Sequence, residues 1–226
     1  MEVDITTLAT MQGALRSIVD EMSHVMVRTA RTPVFKLAKD FSCTVCDWEC
    51  RQLVQGDAEL PVQVGAISFV CRAVAKAYEG DIHPGDYFLC NDPAHGGLHV
   101  HDMALLQPIF IEDELVFWAV IRAHWLDIGG PASADLRRAQ SDCYGEGLRV
   151  PPIKIYDRGQ RLDNIIDFYF ANLRFPDKQN SDMLSMMAAC NIAAIRLVAL
   201  IDKYGMMQAR ACVEELYDRM EQRVRR

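Results

Sequence analysis

Residues 91–124 read NDPAHGGLHVHDMALLQPIFIEDELVFWAVIRAH. Two strand-like runs stand out, His99 to Phe110 and Leu115 to His124, separated by the acidic turn Ile111-Glu112-Asp113-Glu114. Both are rich in β-branched and aromatic residues and are bounded by turn formers, as strands are. A short strand, Tyr87 to Cys90, follows the turn Pro84-Gly85-Asp86 and runs into a glycine-containing loop, Asn91 to Gly97. Working outward, Phe41 to Trp48 reads as a strand with Gln52 to Gln55 as its hairpin partner, and Ile153 to Tyr156 is strand-like. Leu8, Met11, Leu15, Ile18, Met22 and Met26 recur every three or four residues, so the first thirty residues form an amphipathic helix that Pro33 ends. Ala66 to Tyr78 is helical, and the last sixty residues are mainly helical, with Gly205 between two helices. Helix, then strands, then helices predicts an α+β fold: an N-terminal helix, a mixed or antiparallel β core carrying the functional site, and C-terminal helices. There is no internal repeat or long linker, so residues 1–226 are taken as one domain.

Composition narrows the function. The chain has 24 Lys+Arg against 31 Asp+Glu, a formal net charge of −7, which lacks the basic footprint of a nucleic-acid binder. Half of the residues are hydrophobic, enough to rule out whole-chain disorder. The start, MEVDITTLAT, has no basic region followed by an apolar core and is not a signal peptide. Met183 to Ile201 is very apolar, but its large residues fall on one helical face, which is a core helix rather than a bilayer span. The expectation is a cytoplasmic protein away from the membrane, with its 8 cysteines reduced and mostly acting as small core residues. Cys43, Cys46 and Cys50 form the tightest cluster, but Cys43 and Cys46 would point to opposite faces of a strand, and no second pair lies downstream. The chain ends as RMEQRVRR inside a helical pattern, which is expected of one piece of a larger assembly or of a longer ancestral architecture.

His95, His99, His101 and His124 fall within thirty residues, together with Asp92, Asp102 and Asp127 and two glycine pairs. Imidazole and carboxylate suit Zn, Mn or Fe(II), and two histidines with one carboxylate leave coordination positions open, as a catalytic metal requires. Spacing leaves the ligand choice ambiguous. On an ideal strand His99 and His101 share a face while His99 and Asp102 do not, so a bend near Val100 is needed for the latter pair to converge. An acid–base role without metal is the competing reading, since histidine titrates near neutrality.

These residues resemble the hydantoinase B/oxoprolinase family. Residues 91–102 are similar to its N-D-P-x-x-G-G-T-H-x-x-D motif, and Ala123 to Gly130 to A-H-H-x-D-I-G-G. Glu146 to Pro152 matches E-G-L-R-I-P-P, Lys39 to Cys43 partly matches R-R-D-F-S-C, and Asn172 to Pro176 matches N-x-R-x-P. The matched blocks run in order along nearly the whole chain and correspond to the N-terminal part of a usually longer protein. Leu98, His101 and Trp125 depart from the family pattern, which alters the pocket lining without removing a ligand. The resemblance implies a subunit of an ATP-dependent hydantoinase, oxoprolinase or lactamase. A hydantoinase A-like partner would phosphorylate the substrate carbonyl, with further small subunits in some complexes, and this subunit would process the activated intermediate at Zn or Mn. The alternatives are a subunit of an acetone- or acetophenone-type ketone carboxylase and a non-catalytic structural subunit. By the same resemblance the metal ligands are His99, Asp102 and His124.

Around them, Asp127 is the candidate to hold the second ring N–H of a ligand imidazole, with loop capping as its competing role. His101 and His95 are candidate extra ligands or proton shuttles. Arg149 is a candidate phosphate clamp or internal salt bridge, and Asp92 a turn-former or substrate contact. No G-x-x-x-x-G-K-[ST] loop is present, so ATP would be used by the partner.

Overall fold

The computed structural model describes residues 3–56, 60–130 and 142–225. Of the Gly/Pro loop expected over Asp127 to Ala134, residues 131–134 lie outside them. The first helix, α1 (Ile5–Thr29), is capped by Asp4, whose carboxylate accepts the Thr7 N–H at 2.9 Å. A π-helical turn, Val34–Ala38, leads to strands β1 (Phe41–Asp47) and β2 (Gln52–Gln55). Helices α2 (Pro61–Val64) and α3 (Ile67–Ala77) precede β3 (Tyr87–Cys90). The long strands β4 (Asp102–Ile111) and β5 (Glu114–His124) follow, then β6 (Ile153–Asp157), β7 (Gln160–Arg161), α4 (Asp163–Phe170), α5 (Pro176–Tyr204) and α6 (Met206–Val224).

The strands form one seven-stranded sheet in the order β2-β1-β5-β4-β3-β6-β7. Every neighbouring pair is antiparallel, which resolves the expected mixed or antiparallel core. Both faces are covered. Cys43, Val45, Met103, Leu105, Ala119 and Ile121 pack towards α1 and α5, while Cys46, Ala104, Leu106, Trp118 and Val120 pack towards α3. Double coverage is why β1 and most of β4 and β5 are buried throughout rather than alternating between core and water. It also places Cys43 and Cys46 in different layers, and none of the eight cysteines is in a disulfide.

Helix α5 is long and apolar enough by composition to cross a membrane, but half of that window is buried, with Met183, Met186, Cys190, Ala193, Leu197 and Ile201 facing the core. It is a core helix, joined to α1 by the exposed Arg196–Glu21 ion pair. Its Asp182 is fully buried and accepts from Arg31 N at 2.7 Å, Thr32 N at 3.2 Å and the Thr32 hydroxyl. That carboxylate fixes the chain leaving α1 on its way to Asp40 and β1. Asp182→Ala removes the acceptor from three donors, two of them on the fully buried Thr32, and is expected to lower unfolding free energy by about 3 kcal/mol, read from the urea midpoint.

One boundary difference bears on the site. The strand predicted from His99 begins at Asp102, because residues 99–101 form a turn: Asp102 N donates to His99 O at 2.8 Å and Met103 N to His101 O at 2.9 Å. This is the bend near Val100 that convergence of His99 and Asp102 requires.

Candidate metal centre

Asp102 opens β4 and His124 closes β5, and the two stand directly opposite each other in register. Directly paired residues share a face, so both side chains lie on the α3 side of the sheet, at its end. The turn at residues 99–101 then returns the His99 ring over them. Ligand atoms of His99, Asp102 and His124 all lie within 4.8 Å of one another, and His124 Nδ1 is 3.1 Å from Asp102 Oδ1. Asp102 and His124 are buried, and His99 is partly open to solvent. Two imidazoles and one carboxylate at this spacing fit the donor set of a Zn, Mn or Fe(II) site with coordination positions left over.

His101 joins the cluster as a third ring. Its centroid is 4.9 Å from that of His99 and 5.1 Å from that of His124, and the rings are stacked. It is not one of the three residues whose ligand atoms converge. Its Nδ1 lies 2.9 Å from the Trp125 carbonyl, which places the proton on Nδ1 and leaves Nε2 as an acceptor. Burial lowers its pKa, favouring the neutral ring, and the neighbouring His124 and His99 add to the effect.

Two carboxylates with no role assigned from sequence also face the cluster. Glu146 Oε2 lies 3.5 Å from His99 Nε2 and accepts the Val100 N–H at 3.4 Å. Asp40 receives the Gln63 amide at 2.9 Å, and its backbone carbonyl accepts from His124 N at 2.9 Å. Burial raises the pKa of Asp40, and Asp102 adds to this, although His124, Gln63 and His99 oppose it. Both carboxylates lie inside motif blocks, which was the available signal. Pairing of β1 with β5 is what brings Asp40 across.

The loop before His99 is clamped by Asn91. Its side-chain amide donates to Val100 O at 2.6 Å and Leu148 O at 3.0 Å, and its oxygen accepts from Val150 N at 2.6 Å. Three segments are thereby sewn together. Gly97 is required by the close approach, since a Cβ there would sit 2.1 Å from Asn91 O.

The remaining predicted residues lie around this core. Asp127 is fully buried, but its carboxylate accepts from Gly129 N at 3.1 Å, from Arg174 Nη1 at 2.9 Å and from Arg174 N. Those contacts tie the Gly129-Gly130 loop to the segment entering α5, and none is to the imidazole of His99 or His124. Asp92 caps a short 3-10 turn, Pro93–His95, through Ala94 N at 3.1 Å and holds His95 Nδ1 at 2.8 Å. Arg149 lies across the Tyr144 ring at 4.7 Å, with its Nε 3.5 Å from Asp92 Oδ1. His95, Asp92 and Arg149 therefore form a separate group beside the histidine cluster.

Burial opposes charge on Asp92, but His95, Ala94 N–H and Arg149 outweigh it and hold its pKa below the ordinary carboxylate value. A lowered native pKa means that the stabilisation is present above the unfolded value and fades as pH falls through the native one. Asp92→Asn is therefore expected to cost about 1 kcal/mol at pH 7 and nothing once Asp92 is protonated in both states, as read from denaturation at several pH values.

A profile of the hydantoinase B/oxoprolinase family matches residues 4–226. The chain belongs to that family. The beta subunit of the caprolactamase of Pseudomonas jessenii is 36% identical over 223 residues, covering 99% of this chain and 38% of that protein. A putative D-/L-hydantoinase subunit from Pseudomonas sp. (strain NS671) is 32% identical over 229 residues, with the same two coverages, 99% and 38%. The crystal structure of the ATP-dependent caprolactamase from Pseudomonas jessenii superposes with a TM-score of 0.92 at 35% identity, covering 100% of this chain and 39% of that one. As a hydantoinase B-type chain it thus spans 38% of the length of either relative.

Proposed function

We propose that this chain is the metal-carrying part of a hydantoinase B-type subunit in a cytoplasmic, multi-subunit, ATP-dependent complex that hydrolyses a cyclic amide. The observation that carries the proposal is the convergence of His99, Asp102 and His124 at the end of β4 and β5. The kinship with caprolactamase and hydantoinase subunits supports the reaction class and the presence of a partner subunit. By the family resemblance, that partner is of the hydantoinase A type and phosphorylates the substrate carbonyl.

His99, Asp102 and His124 would hold Zn or Mn, which when bound supplies Lewis acidity at a carbonyl or phosphoryl oxygen. His101 accepts a proton at Nε2, because its Nδ1–H is committed to Trp125 and burial keeps the ring neutral. Glu146 orients the His99 ring. Arg149, with its planar fork of donors at the partly exposed rim, takes the phosphate of the activated substrate. Asp127 acts by holding the glycine loop and Arg174 in place.

The test is product analysis of the purified complex given ATP and a lactam, a hydantoin or 5-oxoproline, with and without bicarbonate. ATP-dependent ring opening that ignores bicarbonate is the expected result. ATP consumption that requires both a ketone and bicarbonate would make the complex a carboxylase and overturn the hydrolase reading.

A further inference from the structure

We propose that Arg122 is the positioning residue of the metal centre, joining its two walls through one buried guanidinium. This rests on the reading of His99, Asp102 and His124 as metal ligands. Arg122 stands on β5 two residues before His124, opposite Ala104 in β4, and so on the same face as the ligands. It has no exposed surface. Its Nη2 donates to Gly96 O at 2.7 Å and its Nη1 to Gln63 O at 3.4 Å, while Nε has no partner among the described residues. Both groups that accept from the guanidinium are backbone carbonyls, and neither carries a full charge.

Burial opposes the charge on Arg122, and the attraction of Asp102, which the guanidinium does not touch, offsets only part of that cost. The two carbonyls it holds, however, belong to the two segments that shape the site. Gly96 leads through Gly97 into the His99 turn, and Gln63 carries the amide that holds Asp40. A guanidinium spans both because its donors are set in a rigid planar fork; an ammonium is a single point of charge.

Position and charge make opposite forecasts. A cation beside a metal ion repels it, so if charge were all that Arg122 supplied, Arg122→Met would tighten metal binding and Arg122→Lys would leave it unchanged. If Arg122 sets geometry, both variants weaken binding. The measurement is Co2+ titration of the intact protein, purified with its bound subunits and stripped of metal and nucleotide, followed by the visible ligand-field bands, with circular dichroism to verify folding.

We expect affinity to fall about tenfold to a hundredfold in both variants, less in Arg122→Lys, with a change in band shape that a remote loss of stability would not produce. Affinity equal to the parent in Arg122→Lys, or tighter binding in Arg122→Met, overturns the proposal. Should Arg122→Met not fold, Arg122→Lys decides by the same criterion. A parent protein that takes up no Co2+ instead overturns the underlying ligand assignment.

Discussion

His124→Ala is expected to abolish divalent-metal binding at the proposed centre and, with it, the proposed ATP-driven turnover of the complex, while the chain stays folded. Among the described residues, the side chain is one of three groups whose ligand atoms converge. Partners one step removed from a metal already cost about tenfold to a hundredfold in affinity when lost, and removing a ligand itself should exceed that. Folding should suffer little. The imidazole ends β5, its backbone bond to Asp40 O is independent of the side chain, and its side-chain hydrogen bond is to Asp102. A stability loss of about 1 kcal/mol is typical of such a change. His99→Ala should behave alike. A folded variant that keeps both metal and activity would show that the ligand is misassigned.

Asn91→Ala is expected to be the most damaging single change to stability in the loop region. One side chain satisfies the carbonyls of Val100 and Leu148 and the N–H of Val150, all at 3.0 Å or less. Asn91 is fully buried, so water cannot replace it without opening the loops. Three interior groups lose their partner together, and the cost should be about 3–5 kcal/mol in urea-induced unfolding. Since Val100 follows His99 directly, metal affinity should fall in parallel. A cost below about 1 kcal/mol would place Asn91 among ordinary surface positions and contradict its role as the clamp.

The local elements were legible because their patterns are local. The acidic turn at residues 111–114 marked the β4–β5 hairpin, and the Leu8–Met26 spacing marked α1. The turn at residues 99–101 was less so, since the signs were only that His99 and Asp102 could not converge on a straight strand and that Gly96-Gly97 before them permits irregular backbone. What sequence could not supply was pairing at a distance. Asp40 reaches the cluster because β1 lies beside β5, and Asp127 is committed to Arg174, 47 positions further on. Arg122 reads as one polar residue in an apolar strand until its two carbonyl partners, 59 and 26 positions away, are known. Glu146 sat in a matched block, yet nothing in its spacing pointed to His99.

The most direct test of the metal centre is elemental analysis of the intact protein as purified, followed by titration with Zn or Mn. The geometry of His99, Asp102 and His124 predicts about one divalent ion per chain, recoverable after chelation and lost in His124→Ala. Less than about 0.1 ion per chain, with no recovery on adding Zn or Mn, would contradict it.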